Sequence, residues 1–387
     1  MSITPSSRIV SIPESIFATM SRLAVEHKAV NLGQGFPDFD GPSWIIDEAL
    51  EAMKGGHNQY APMPGIFSLR RAIAQYQLDF YGLEWNPDNE ITVTAGATEA
   101  LFSAMLAFIN PGDEVVLFEP FYDSHQANVI VAGGVPKYVT LHAPDFHIDP
   151  DAIERLVTPA TRMLVLNNPD NPTGKVYTRD ELERIAAVAI RRNLLVISDE
   201  VYEFLTYDGA RHIPIATLPG MRERTITISS TGKTFGMTGW KIGYAIAPPV
   251  LTHAVRMVHQ FVTFAVNTPA QHAMAHALTR LAAYLPELCD TYRRKRNLLY
   301  EGLALSIFTP HLPKGSYFMM ADIPPGLGMN DVECATRLVI DHGLAVIPPS
   351  VFYAESGEGA SMLRFCFAKG DETLREGIAR VRAVRLP

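Results

Sequence analysis

The sequence predicts an α/β protein: a large unit with a mostly parallel central sheet flanked by helices, joined to a smaller α+β unit. Three observations carry this reading. Four short apolar runs, EVVLFEP (114–120), RMLVLNNP (162–169), NLLVISDE (193–200) and RTITISS (224–230), alternate with helical patterns. Such alternation calls for parallel strands covered by helices. The chain has 387 residues, more than one simple core organises. Its C-terminal part has more strand-and-turn character, for example GSYFMMADIPPG (315–326). We therefore expect a large unit over residues 43–285 and a smaller one built from 1–42 and 286–387.

Each element has a local reason. The four runs are short and β-branched, which favours strand over helix. TRDELERIAAVAIRRN (178–193) is helical, with Thr178 as N-cap and Glu181 three residues on. TEALFSAMLAFINPGDE (98–114) puts Leu101, Ala104, Met105 and Ile109 near one helical face, then stops at Pro-Gly. AYLPELCDTYRRKRNLLYEGLA (283–304) reads as a long helix leading into the C-terminal unit.

Composition narrows the function. The net charge of −8 argues against a general nucleic-acid binder. MSITPSSRIV lacks a basic segment followed by an apolar core, and no apolar run approaches the roughly 20 residues of a membrane span. Cys289, Cys334 and Cys366 are sparse and odd in number, as expected of reduced thiols. A cytoplasmic enzyme is the expectation. His272 and His276 stand four apart, but Ala273 occupies the place a metalloprotease gives to Glu, and no third ligand is evident. No metal site is expected.

TISSTGKTFGMTGWK (227–241) contains Gly-Lys-Thr after a strand and imitates a nucleotide phosphate loop. The loop pattern requires glycine at position 227, where Thr227 stands. Gly236 and Gly239 follow, which is poor helix material. A nucleotide hydrolase is thus disfavoured. Ligands of open parallel sheets bind outside the carboxyl ends of the strands, so the residues after each run matter. They are Tyr122, then Asn171 in NPDNPTG (168–174), then Asp199 and Tyr202, then Ser230 and Lys233. ITVTAGATEALF (91–102) adds a strand, a glycine turn and a helix N-terminus, an arrangement that binds anions. Pyridoxal phosphate needs this set: a lysine amine for a Schiff base, a carboxylate for the ring nitrogen and a phosphate cradle. Lys233, Asp199 and Gly96-Ala97-Thr98 with Ser230 fill those places. Tyr202 and Asn171 would donate to the ring oxygen, and Tyr122 would cover the ring.

At this point the chain resembles the class I aminotransferases of pyridoxal phosphate fold type I. Ser230, Lys233 and Lys241 match the family's S-x-x-K and later cation, and NPDNPTG matches its Asn-Pro turn. NLGQGFPDFDGP (31–42), NQYAPMPGIFSLR (58–70), TAGATEALF (94–102) and LRFCFAK (363–369) match as well. The likeness extends over roughly residues 13–385. It points to the branch of kynurenine/glutamine transaminases and bacterial methionine aminotransferases. Many relatives carry Arg where Lys241 stands, so a point charge replaces a fork on the phosphate.

The resemblance implies roles. Lys233 would hold the cofactor and move the substrate proton. Asp199 would keep the ring nitrogen protonated. Ser230, Lys241 and the Gly96 and Ala97 amides would grip the phosphate, with Thr98 beside them. Tyr60 would reach the phosphate from the partner of a homodimer. Arg364, inside the apolar run MLRFCF, would clamp the substrate carboxylate, helped by Gly35 and Asn171. Phe17, Phe36 and Phe352, with Tyr60 and Tyr122, suggest an apolar side-chain site. The expected reaction is ping-pong transfer of an amino group from methionine, glutamine, kynurenine or phenylalanine to a 2-oxo acid. C–S β-lyase action on cysteine conjugates is the alternative with the same cofactor.

Overall fold

The computed structural model describes residues 4–10, 12 and 14–386. Its centre is a seven-stranded sheet. The small strand β1 is Val30–Asn31. The sheet itself is made by β2 (Ile91–Ala95), β3 (Glu114–Glu119), β4 (Val135–Thr140), β5 (Thr161–Asn167), β6 (Leu195–Asp199), β7 (Thr225–Ser230) and β8 (Ile242–Ile246). Their order is β2-β8-β7-β6-β5-β3-β4. All neighbours from β4 to β7 pair in parallel, and β8 runs antiparallel to both β7 and β2. The four apolar runs read from the sequence are β3, β5, β6 and β7.

Burial explains why those strands carry continuous apolar stretches. Val115, Val116, Leu164, Val196, Ile197, Ile226 and Ile228 are all fully buried, because helices cover both faces. One layer packs against Ala100, Leu101, Ala104 and Met105 of the helix Gly96–Phe108. The other contains Leu182, Ile185 and Ala189 of the helix Arg179–Arg191. That helix starts at the predicted cap: the Thr178 hydroxyl accepts from the Glu181 amide and the Glu181 carboxylate accepts from the Thr178 amide.

The C-terminal part forms a second core with the N-terminal segment. Strands β9 (Thr309–Pro310), β10 (Phe318–Asp322) and β12 (Met362–Cys366) make an antiparallel sheet, and β11 (Leu344–Ala345) pairs in parallel with β1. The helix Leu281–Ala304 contributes Tyr292, Leu299 and Leu303 to this core. Met20 and Ala24 of the helix Ile16–Glu26 join it. Among the described residues, no helix is long and apolar enough to cross a membrane. His272 packs on His57 with ring centroids 4.0 Å apart, and His276 faces Glu48 at 3.4 Å.

Replacing Thr178 by Ala removes one half of a reciprocal cap and should cost about 1 kcal/mol of stability. Urea unfolding of the two proteins, compared at equal m-values, measures this.

Candidate active site

A cavity of 290 Å³ opens where β5, β6 and β7 end against the start of the helix Gly96–Phe108. Lys233 enters it from a one-turn helix, Thr231–Thr234, that follows β7 and is capped by the Ser230 hydroxyl. The turn stops at once, with Gly236 at φ +68°, so no helix long enough to cradle a nucleotide follows. The Lys233 amine donates to the Tyr317 hydroxyl at 2.9 Å and to the Gly35 carbonyl at 3.2 Å. Both are neutral oxygens, and burial pulls its pKa from 10.5 down to about 8.

Asp199 ends β6 and is 3% exposed. Its Oδ2 lies 3.0 Å from His125 Nε2, and its Oδ1 accepts from the Val201 amide. Of the next residues, Val201 and Tyr202 both face the cavity. Tyr202 lines the cavity, where burial pushes its hydroxyl well above the ordinary value and keeps it a donor. Glu200 and Glu203 turn away and anchor the turn from behind. Glu200 meets His212 at 2.8 Å, and Glu203 accepts from Ser229 and Tyr81 at 2.8 and 2.7 Å. Asn167, at the end of β5, accepts from the Asn171 amide and donates to the Asp199 carbonyl. It thereby ties the Asn-Pro turn to the end of β6.

The far end of the cavity is built for an anion. Gly96 adopts φ +77°, which a side chain disfavours, and a Cβ there would come within 3.2 Å of the Lys241 amine. The Gly96–Ala97–Thr98 helix start, the Ser230 hydroxyl and Lys241 converge on this end. Lys241 Nζ stands 3.5 Å from the Thr98 hydroxyl. Backbone N–H groups and a nearby cation favour a phosphate.

Arg364 lies in the middle of β12 and is 1% exposed. It donates to the Asn171 Oδ1 and the Gly33 carbonyl, each at 2.9 Å. With Oδ1 so engaged, the Asn171 NH2 is the donor left for a ligand. The rings of Phe318, Phe17 and Phe352 surround the guanidinium at 4.2, 5.0 and 5.2 Å. Burial lowers its pKa to about 10, so it stays charged at neutral pH. Among the described residues, its buried Nε has no partner. An unpartnered buried donor on a cation is costly and marks a place for an anionic ligand.

Most of the residues expected from the sequence line this cavity: Phe17, Gly35, Gly96, Ala97, Thr98, Tyr122, Asn171, Asp199, Tyr202, Ser230, Lys233, Lys241 and Arg364. Three do not. Tyr60 is 83% exposed, its ring edge-on to Phe264, so it is not a core aromatic of its own subunit. Phe36 is 44% exposed and packs over the Lys369 ammonium rather than against the cavity. Phe352 is fully buried behind Arg364 and backs the guanidinium instead of the open space. His125, Tyr317, Asn167 and Phe318 are among the contributors that the sequence reading omits, as are the lining residues Leu101, Val201, Gly232 and Thr238. Only His125 had a local signal, lying one helical turn after Tyr122.

A neutralisable amine, a separate buried carboxylate, hydroxyl and amide donors and an anion cradle together fit pyridoxal 5′-phosphate. Comparison with known proteins agrees. The pattern of the aminotransferase class I and II family matches residues 27–381. The chain belongs to this family. It is 40% identical to methionine aminotransferase of Escherichia coli, over 98% of both chains. It is 39% identical to kynurenine–oxoglutarate transaminase of Dictyostelium discoideum, over 96% of this chain and 94% of the other. The solved N-succinyldiaminopimelate aminotransferase of Mycobacterium tuberculosis superposes with a TM-score of 0.95 at 44% identity, covering 98% and 99% of the two chains. The protein is an aminotransferase of the pyridoxal-phosphate-dependent, fold type I kind.

Only a neutral amine attacks a carbonyl carbon. Capture of added pyridoxal phosphate by the apoprotein should therefore quicken as pH rises through about 8, and Lys233→Ala should abolish covalent capture. Stopped-flow absorbance across pH measures both. A midpoint near 10.5 would contradict the burial argument.

Proposed function

We propose that this aminotransferase takes its amino group from a donor with an apolar or aromatic side chain, of the methionine, glutamine, kynurenine or phenylalanine class. The observation that carries the reading is the supply of cations. Among the described residues the cavity is lined by three, Lys233, Lys241 and Arg364. The amine, the phosphate and the substrate's α-carboxylate use all of them, which leaves none for a side-chain carboxylate. Phe17, Phe318 and Tyr122 supply the apolar wall beside Arg364. The likeness to enzymes named for methionine and kynurenine supports the same class.

The bound cofactor supplies an electron sink for the substrate's α-carbon. The chain's residues do the rest. Lys233, with its pKa near 8, accepts and returns the proton of that carbon. Asp199, steadied by His125, holds the proton on the ring nitrogen. Tyr202 and the Asn171 NH2 donate to the ring oxygen. Ser230, Lys241 and the amides of Gly96 and Ala97 hold the phosphate, beside Thr98. Tyr122 covers the ring. Arg364 orients the donor through its carboxylate, with Gly35 alongside. Tyr60 completes the phosphate site from a second subunit, and its exposure in one subunit supports a homodimer. The core that gathers Met20, Ala24, Leu299, Phe365 and Leu374 supports a smaller unit of 1–42 with 286–387 beside a larger one of 43–285, with Val201, Tyr202, Leu205 and Tyr207 of the larger unit packed into the same core.

The likeness to the N-succinyldiaminopimelate enzyme favours a second reading, a long donor with distal carboxylates. Steady-state kcat/KM for methionine, glutamine, kynurenine, phenylalanine, aspartate and N-succinyldiaminopimelate separates them. The neutral donors should exceed aspartate by about 100-fold or more, the scale of one lost charge-assisted contact. Aspartate as the best donor contradicts the proposal. N-succinyldiaminopimelate as the best donor selects the second reading.

A further inference from the structure

Glu119 is the last residue of β3 and is completely buried. It lies beside the active site without lining it. Both of its oxygens accept. Oε1 takes the Thr140 hydroxyl at 2.8 Å and the Ser356 amide at 2.9 Å. Oε2 takes the Ala354 amide at 2.6 Å and the Glu355 amide at 3.1 Å. Three successive amides of one loop thus close around a single carboxylate, a geometry that selects an anion.

The loop gripped this way follows Phe352 directly. Next to the grip, the Phe121 amide donates to the Phe352 carbonyl at 2.9 Å. Two further carboxylates fasten the same stretch. Asp331 accepts from the Ser350 amide at 2.7 Å, and Glu358 reaches back to His142 at 2.5 Å. Phe352 is therefore fixed on both sides in sequence. Its ring lies 5.2 Å from the Arg364 guanidinium and 5.9 Å from the Phe17 ring. It forms one wall of the three-ring cage that holds the guanidinium in place.

We propose that Glu119 is a positioning residue for recognition of the substrate carboxylate. It holds the 352–356 loop against the end of β3, and through Phe352 it keeps Arg364 aimed at the donor. The reach of this contact is specific. It should tune how strongly the enzyme prefers a carboxylate-bearing donor, and leave the cofactor's attachment alone. None of its partners is Lys233, Asp199 or Lys241. The proposal rests on the reading of Arg364 as the carboxylate clamp.

The isosteric change Glu119→Gln is the sharpest probe. Its NH2 would face amide or hydroxyl donors at either oxygen position, so the loop loses acceptors without losing volume. The readout is a ratio, kcat/KM for L-methionine over kcat/KM for L-methioninol, the same donor without its carboxylate. It is measured on the cofactor-loaded enzyme together with the affinity for pyridoxal phosphate. We expect the ratio to fall about tenfold or more in Glu119→Gln, with unchanged cofactor affinity. The kcat for methionine should change less than its KM. A wild-type enzyme that does not prefer methionine over methioninol would remove the Arg364 reading itself. A wild-type preference retained in full by Glu119→Gln would overturn this proposal alone. An equal fall in cofactor affinity would also overturn it, since general loosening then explains the loss. If Glu119→Gln does not fold, Phe352→Leu tests the next link. The same fall is expected there, and an unchanged ratio overturns the proposal.

Discussion

Much of the site is organised by one constraint: a lysine amine is held in a buried space with only neutral oxygens as hydrogen-bond partners. Lys233 could be kept charged by a carboxylate at contact distance, and it would then be a poor nucleophile and a poor proton acceptor. Its hydrogen bonds go instead to Tyr317 and the Gly35 carbonyl. The buried carboxylate, Asp199, is engaged by His125 and a backbone amide. In the proposed reading, keeping these two groups apart would set the cofactor's orientation, with the amine and the carboxylate at different ends of the ring.

Two sheets contribute to the site. The large sheet supplies Asn167, Asp199 and Ser230 at the ends of adjacent strands, so their spacing follows from strand spacing, and the Asn167 side chain holds the Asn171 amide. The antiparallel sheet of β9, β10 and β12 supplies Phe318 and Arg364, with Tyr317 just before β10. The stretch 33–38 connects them. The Gly33 carbonyl accepts from Arg364, the Gly35 carbonyl from Lys233 and Tyr317, and the Phe36 carbonyl from Lys369. Asp38 accepts from the Gly370 amide and the Thr373 hydroxyl. One short segment therefore joins Lys233 to Arg364.

The sequence made the centre of the fold legible because buried parallel strands cannot alternate in polarity. The continuous runs of β3, β5, β6 and β7 stood out, and the residues following three of them, Tyr122, Asn171 and Lys233, could be read as a site, with Asp199 ending β6. β4 did not stand out. It is a half-exposed edge strand containing Pro136 and Lys137. β8 was hidden behind the glycine turns of 236–239 and runs antiparallel, against the pattern of its neighbours. Contacts made across the fold were the least visible. Tyr317 is 84 residues from Lys233, and His125 is 74 from Asp199. Phe36 and Phe352 show the reverse error. Their aromatic character suggests a cavity wall, yet the half-exposed Phe36 covers the buried Lys369 and Phe352 supports an arginine from behind.

The most direct test is the visible absorption spectrum of the purified protein, followed through addition of L-methionine and then of a 2-oxo acid. An absorbance band from cofactor held by Lys233 is expected, with its loss on adding methionine and its return with the 2-oxo acid. A protein that shows no band, and gains none when pyridoxal phosphate is added, would contradict the account at its centre.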